Sequence, residues 1–422
     1  MTERNAKMIL EEISCQEYQN FLDQQSHVDF LQSVEQGKRM AKQGWTVEYV
    51  QAKENGEIRA AAMLCMIPLM KIFRYCYIPR GYFCDYHDQK QIAEFTSLLK
   101  KHLSRRKVVY MEIDPVIILK ERDKNGDIVE GGIDNSDVIE ILKNNGYHHL
   151  PVKPGYDLAR QCRYVSVLDL HPSADQLFKD LSYQTRQDIR TSEKYCVKVD
   201  SLDRNGLKML DDMEKKTSER HHFTGMDMNF YYSVIDFYGE ENVFAPYAYL
   251  DIEAYHNHIS SEYERLKKEV AETEEILKTN PSVKKQKKLK TDMEYLNSLQ
   301  KKLDGVKQLQ NKHGDTLPLA AAFFIKYRDQ MFYLVGASEY EYRTYKGPYA
   351  IQWHMIRKAK QLGCTRYNFY GISGYFKEGE EGYGVFDFKR GFNAVVEEYI
   401  GNFILPVKPA VYNIYNMLKK QN

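Results

Sequence analysis

Apolar positions along this chain change period near its middle, and the change separates a helical segment from two α+β regions. Before it, residues 45–50, 58–67, 107–113 and 164–170 are apolar runs rich in β-branched and aromatic side chains, which predicts strands. Residues 91–103 and 137–144 repeat at helical spacing and predict helices. After it, 319–326 and 330–336 predict a hairpin of strands, 349–361 a helix ending at Gly363, and 365–370 a returning strand. The two rounds of hairpin, helix and strand suggest two related α/β units, although no residue-level repeat accompanies them.

The middle segment loses nearly all its glycine and gains Glu, Lys and Leu. Tyr263, Leu266, Val270, Thr273 and Leu277 step 3-4-3-4, and Leu289, Met293, Leu296, Gln300 and Leu303 step 4-3-4-3. That is the seam of an antiparallel helical hairpin, broken at Asn280-Pro281 because proline cannot continue the first helix. One interrupted helix, or disorder, stays open as an alternative. Beside the break, Lys284, Lys285, Lys287, Lys288 and Lys290 form a basic run that reads either as a solvated helix face or as a contact to a phosphate backbone.

Composition narrows the function classes. The 422 residues carry 60 Lys+Arg against 59 Asp+Glu, a formal net charge of +1, so a polyanion must be met by local patches rather than a global field. Seven scattered cysteines without a CxxC argue against a disulfide framework or a zinc site and fit a reducing, cytoplasmic setting. The first twelve residues hold no apolar signal core, and the run 60–70 is too short to span a bilayer. No GxxxxGK[ST], no GxGxxG opening a helix and no GxSxG elbow is present, and the His148-His149 and His221-His222 pairs diverge on any regular element.

What remains is basic and aromatic: Arg186, Arg190, Arg220, Tyr231-Tyr232, Arg343 and Lys389-Arg390. The densest segment is YNFYGISGYFKEGEEGYGVFDFKRGFN, residues 367–393, whose glycines break regular structure and let a ligand approach backbone. FDFKRGF reads as a strand, with Phe386 and Phe388 on one face and Asp387 and Lys389 on the other. Taken alone, that lysine is an ordinary solvated strand residue.

The segments YVSVLDL, MEKKTSERHHF followed by FYY, AAAFFIKYRDQMFYLVGAS, YKGPYAIQWHMI, YNFYGISGYF and FDFKRGFN stand in an order and spacing that closely resemble the FemABX family of non-ribosomal peptidyl transferases. FLQSVEQGKRMAKQGW and YMEIDP resemble family segments too, so the likeness spans nearly the whole chain, and the helical insert places it with the members that carry a coiled-coil arm. The resemblance implies an α+β fold of two GNAT-like subdomains: 1–160 completed by 396–422, and 161–251 with 315–395, with 252–314 as the arm. It implies transfer of Gly, Ala or Ser from aminoacyl-tRNA to the amine of the stem peptide or growing interpeptide bridge of a lipid-linked peptidoglycan precursor, without cofactor or metal.

By the same resemblance Phe388 and Lys389 mark the catalytic centre, with Lys389 facing the developing oxyanion. Arg220 and a lysine of the N-terminal segment map to positions associated with the precursor's phosphates. There the family's usual tryptophan is replaced by Gln36, and the register lies between Lys38 and Lys42, with Lys38 preferred. Tyr349 is expected to line the peptide channel, Asp114 to orient an amine, Arg343 to hold an anionic group, and the lysines from Lys284 to Lys290 to meet tRNA. The C-terminal FILPVKPAVYNIYNMLKK, with Lys408, Lys419 and Lys420, reads as a helix packed on its own domain or docked on a membrane surface. A second copy or a partner transferase of the family is a further expected partner. Two other classes stay open: a non-catalytic tRNA-binding scaffold, and a GNAT-like acyltransferase using another activated donor.

Overall fold

The computed structural model describes residues 7–151, 154–157, 159–221 and 224–419. Residues 1–6 of the N-terminal segment, His222 and Phe223 of the SERHHF segment, and Lys420 lie outside the described residues.

The first unit begins with β1 (Ile9–Ile13) and α1 (Cys15–Leu22), a helix opened by a Ser14/Glu17 capping box, then α2 (Val34–Lys42) capped by Ser33. Strands β2 (Thr46–Glu54), β3 (Glu57–Leu69) and β4 (Phe73–Ile78) form a meander, and α3 (Gln89–Arg105) crosses to β5 (Val108–Ile113), which runs parallel to β4. Residues 60–66 of the apolar run are thus buried in the sheet, while Pro68 and Met70 at its end are exposed. After β5 the chain leaves for β6 (Ile118–Glu121), then forms α4 (Ser136–Asn144) and the two-residue β7 (His148–His149).

The second unit repeats the plan. It contains β8 (Tyr164–Asp169), α5 (Ala174–Asp180), α6 (Tyr183–Lys194), β9 (Val197–Ser201), α7 (Leu207–His221), α8 (Met228–Tyr238), β10 (Val243–Phe244) and β11 (Pro246–Asp251). The arm, α9 (Ile252–Thr279) and α10 (Val283–His313), follows. Next come β12 (Thr316–Tyr327), β13 (Gln330–Ser338), α11 (Gly347–Gln361), β14 (Arg366–Ile372), α12 (Tyr383–Arg390), β15 (Val395–Tyr399), β16 (Phe403–Pro406) and α13 (Pro409–Lys419). Here α11 crosses between the parallel strands β13 and β14 as α3 does between β4 and β5, so each sheet holds one parallel pair wrapped by one helix.

The two sheets exchange strands. The first has the order β1-β2-β3-β4-β5-β16-β7, and the second β6-β15-β8-β14-β13-β12-β11-β9. So β6, from the N-terminal part, pairs with β15, while β16, from the C-terminal end, pairs with β5. Separate cores lie under the sheets, one around Phe95, Leu99 and Met111, the other around Phe324, Ile356 and Phe369.

Two sequence expectations need correcting. On the return helix of the arm the seam runs Leu296, Leu299, Leu303, Val306, whereas Met293 and Gln300 face solvent. Leu289, Leu296 and Leu303 keep their expected places, and Leu299 takes the seam position expected for Gln300. Residues 386–392 do not form a strand: α12 occupies Tyr383–Arg390, started by Gly382 at φ 75°. The F-x-F alternation imitated a strand, but in the helix Phe386 and Lys389, three apart, are the buried pair, and Phe388 turns to a different cluster.

Candidate active site

The glycine-rich segment builds a pocket for one amine. β14 carries a bulge between Asn368 and Gly371 in its pairing with β8, and Tyr370 within it adopts φ 64°. The Asn368 side-chain oxygen accepts the Tyr370 N–H at 2.8 Å, which holds this left-handed turn. The turn presents two backbone carbonyls to Lys389, whose Nζ donates to Gly371 O at 2.6 Å and Tyr370 O at 3.3 Å. Gly371 is required here, because a Cβ would lie 2.2 Å from the Cys162 sulfur. Lys389 is 5% exposed, and burial away from water pulls its pKa down to about 7, a shift that the nearby Cys162 opposes.

Phe388, one residue earlier, packs edge-on to Tyr349 at 5.0 Å and to Phe392 at 5.4 Å. Tyr349 lies in the first turn of α11, and burial beside Asp188 raises its phenol pKa. Asp188 of α6 also pairs with Lys346 at 3.0 Å. Phe388 and Tyr349 therefore belong to one neighbourhood, where α12 meets α6 and α11, and Lys389 on another side of α12 turns to the bulge of β14.

Two cavities flank the bulge. The larger, about 620 Å³, opens between the sheets and is lined by Asp29, Arg80, Asn368, Arg366 and Glu397. The smaller, about 400 Å³, is lined by Gln36, Tyr75, Tyr77, Glu112 and Gln161. Asn368 belongs to the first, and the Tyr370 hydroxyl donates at 2.8 Å to Gln161 of the second. Asp114 lies between them: it accepts from Tyr77 at 3.0 Å and from the Arg80 N–H at 2.8 Å, and burial raises its pKa to about 6. Arg80 is 3% exposed, lies between Asp114 (3.4 Å) and Asp29 (3.6 Å), and stacks over Tyr399 at 5.5 Å. No sequence signal marked Arg80, because its partners come from segments far apart in the chain.

The remaining predicted residues lie elsewhere. Arg220 on α7 and Arg343 in a 3-10 turn both stack on the Tyr340 ring, at 4.9 and 4.2 Å, and make one exposed cationic pair. Lys38 is exposed on α2, whose neighbouring Arg39 anchors to Ser233 of α8 at 2.9 Å. Of the arm run, Lys284, Lys287, Lys288 and Lys290 are exposed and Lys285 half-buried, and Lys288 pairs with Asp292 at 3.2 Å. Glu12, Glu48 and His102 offer a possible metal-ligand trio, but Arg106 already pairs with both carboxylates, so the group reads as an ion-pair cluster.

Comparisons with known proteins identify the family and the fold. The FemAB family model matches residues 13–420. Aminoacyltransferase FemA of Staphylococcus aureus (strain MRSA252) is 32% identical over 411 residues, 97% of this chain and 97% of that protein. The same enzyme from strain COL matches to the same extent. A crystal structure of FemX superposes with a TM-score of 0.76 at 23% identity, covering 96% of this chain and 99% of that one. A tandem GNAT protein from the clavulanic acid biosynthesis pathway superposes with a TM-score of 0.50 at 6% identity, covering 96% and 99%. These likenesses show an α+β fold of tandem GNAT-like character.

Proposed function

The chain belongs to the FemAB family, and from that premise we propose that it is a peptidoglycan aminoacyltransferase. It takes Gly, Ala or Ser from aminoacyl-tRNA and joins it to an amine on the stem peptide or interpeptide bridge of a lipid-linked precursor, at the inner face of the membrane. The observation that carries this reading is Lys389, buried against the bulge of β14 and held by two carbonyls in the segment where the family resemblance is densest.

In the proposed reaction the acceptor nitrogen attacks the carbonyl carbon of the aminoacyl ester. The C–N bond forms, the bond to the ribose oxygen breaks, and the amine proton leaves with that oxygen. The ester is already activated, so the barrier lies in placement and in the negative charge on the carbonyl oxygen. Lys389 uses two donor directions on Gly371 and Tyr370, and its third points to the oxyanion. Its charged form is held down by desolvation in the resting site and is favoured when an anion develops beside it, so the interaction strengthens in the transition state. Such a donor contributes about 3 kcal/mol.

Phe388 and Tyr349 supply the apolar wall that keeps water from the ester. The Arg220/Arg343 pair, with Lys38, holds the precursor's phosphates, Asp114 orients an amine through the Arg80 cluster, and the arm lysines from Lys284 to Lys290 hold the tRNA backbone. We further propose the units 1–160 with 396–422 and 161–251 with 315–395, with 252–314 as the arm; β6 and nearly all of β15 fall in the first unit by these bounds and lie in the second sheet, which ties the two together. The test is incubation of the folded protein with a panel of charged tRNAs and lipid-linked precursor, read by mass spectrometry. One added residue is expected, and no addition with any pairing rejects the transferase reading.

A further inference from the structure

Helix α13 is apolar on two faces. Val411, Tyr412 and Tyr415 pack toward the first sheet, Tyr412 against Tyr110 at 5.2 Å and Tyr415 on Tyr110 at 5.8 Å. On the other side Ile414, Met417 and Leu418 are 53%, 59% and 52% exposed. A helix with one packed face carries polar residues on the other, so this second stripe lacks a partner among the described residues. The β3–β4 turn joins it: Leu69 and Phe73 share a cluster with Val411 and Tyr412, and between them Met70 and Ile72 are 42% and 66% exposed.

The segments that build this face are of one sign, and the acids Glu12 and Glu48 beside them are already paired with Arg106. Residues 66–84, 99–111 and 403–419 contain no Asp or Glu. They bring Lys71, Arg74, Arg105, Lys107, Lys408 and Lys419 to this end of the sheet, with the Arg74 N–H on Lys107 O at 3.0 Å and Lys408 Nζ on Ser104 at 2.9 Å. No described helix is long and apolar enough to cross a membrane. Exposed apolar side chains ringed by lysine and arginine are what an interfacial anchor needs. Nucleic acid would use the charges and leave the apolar stripe wet. A second copy in a two-fold contact would set this acid-free surface against itself.

We propose that α13 and the β3–β4 turn form a docking face for an anionic lipid bilayer. An aromatic path links it to the smaller cavity: Tyr415 stacks on Tyr110, Tyr110 lies 4.9 Å from Tyr75, and Tyr75 lines that cavity. Docking there places the cavity beside the headgroups. This deepens the reading of a lipid-carried acceptor and rests on it for its purpose, but binding to vesicles requires no turnover, so either can fail alone.

The test is co-sedimentation of the full chain with vesicles of phosphatidylglycerol or of phosphatidylcholine. Binding to the first, much weaker binding to the second, and loss at high salt are expected. The exposed-residue variant Ile72→Ser/Ile414→Ser/Met417→Ser/Leu418→Ser is expected to bind at least tenfold more weakly while melting as the wild type does. Lys71→Gln/Lys107→Gln/Lys419→Gln is expected to lose about fivefold per lysine on phosphatidylglycerol. No binding by the wild type, or equal binding by both variants, overturns the proposal. So does a wild-type dimer that the apolar variant splits while neither binds vesicles, which makes this face a contact between copies. Vesicle binding without aminoacyl transfer supports the docking face and counts only against the transferase reading.

Discussion

Lys389 and the lysines at the tip of the arm carry the same ammonium group into opposite surroundings. The first is 5% exposed and donates to two carbonyls of a strained strand, while Lys284, Lys287 and Lys290 stand in solvent on the first turns of α10. Burial makes the charge of Lys389 conditional, pulling its pKa to about 7, so its electrostatics act over one hydrogen bond and respond to chemistry. At physiological salt the reach of an exposed lysine is about 8 Å, and such lysines act by number rather than by placement. Residue type says little until desolvation is known. Position decides whether a lysine makes one placed contact or adds to a diffuse charge.

The sharpest way to break this comparison is Lys389→Met. Turnover at saturating substrates is expected to fall about 10²- to 10³-fold, the loss of one oxyanion donor. The affinity for aminoacyl-tRNA, measured by filter binding, is expected to stay within about twofold. An equal loss of tRNA affinity would put Lys389 in the same class as the arm. With the charged form required, wild-type turnover also declines as pH rises through about 7, and a rising limb there would make the neutral amine the working form.

The same substitution separates the sites by stability. Between its folded value of about 7 and the ordinary 10.5, Lys389 binds fewer protons folded than unfolded, so its contribution to stability rises with pH across that window. Burying the charge is therefore most unfavourable at and below pH 7. Lys389→Met removes that burden and leaves two carbonyls without a donor, for a net gain of ~1–3 kcal/mol at pH 7 that disappears as pH approaches 10. Thermal melts at pH 7 and 9.5 check it, and a variant less stable than wild type at pH 7 would contradict the depressed pKa.

Much of the fold was legible and the site was only half so. The arm announced itself because a two-helix seam repeats locally, and Asn280-Pro281 marked its turn. The hairpin β12–β13 and helix α11 followed from short-range periodicity, and Gly363 ends that helix at φ 75° as the pattern required. The departure of β6 to the second sheet was not legible, since pairing across distant segments leaves no local mark, and the return of the C-terminal end to the first unit was expected from the family resemblance alone. In the 367–393 segment the lysine was found, but its helix was read as a strand and its burial missed. Both depend on the left-handed turns at Tyr370 and Gly382, and at Tyr370 a non-glycine residue hides the turn. Arg80 and Cys162 join the site through tertiary contacts alone, while Asn368 holds the turn at Tyr370 two residues along its own strand.

On the arm side the effects are smaller and additive. Replacing Lys284, Lys285, Lys287 and Lys290 by Gln is expected to weaken tRNA binding about tenfold and to flatten the dependence of log K on log salt by up to about 0.9 per lysine in contact. Turnover at saturating tRNA is expected to hold. An unchanged slope returns the run to an ordinary solvated helix face.

The smallest effect belongs to Lys288, and it tests whether number alone matters on the arm. Among the described residues it is the member of the run with a carboxylate within reach, Asp292 one turn later at 3.2 Å. An exposed pair of this spacing contributes about 0.3–0.5 kcal/mol, so it neither stabilises the arm much nor is free to join a phosphate without first giving up its partner. Lys288→Gln should therefore change tRNA affinity by less than about twofold, and less than Lys284→Gln does. Asp292→Asn should tighten binding slightly, because it releases Lys288 and removes an anion from the same face. If Lys288→Gln instead weakens binding as much as its unpaired neighbours do, the phosphate must outcompete Asp292 at a defined position. The arm would then recognise its ligand by geometry, as Lys389 does, and the division between a placed lysine and a crowd of lysines would no longer hold.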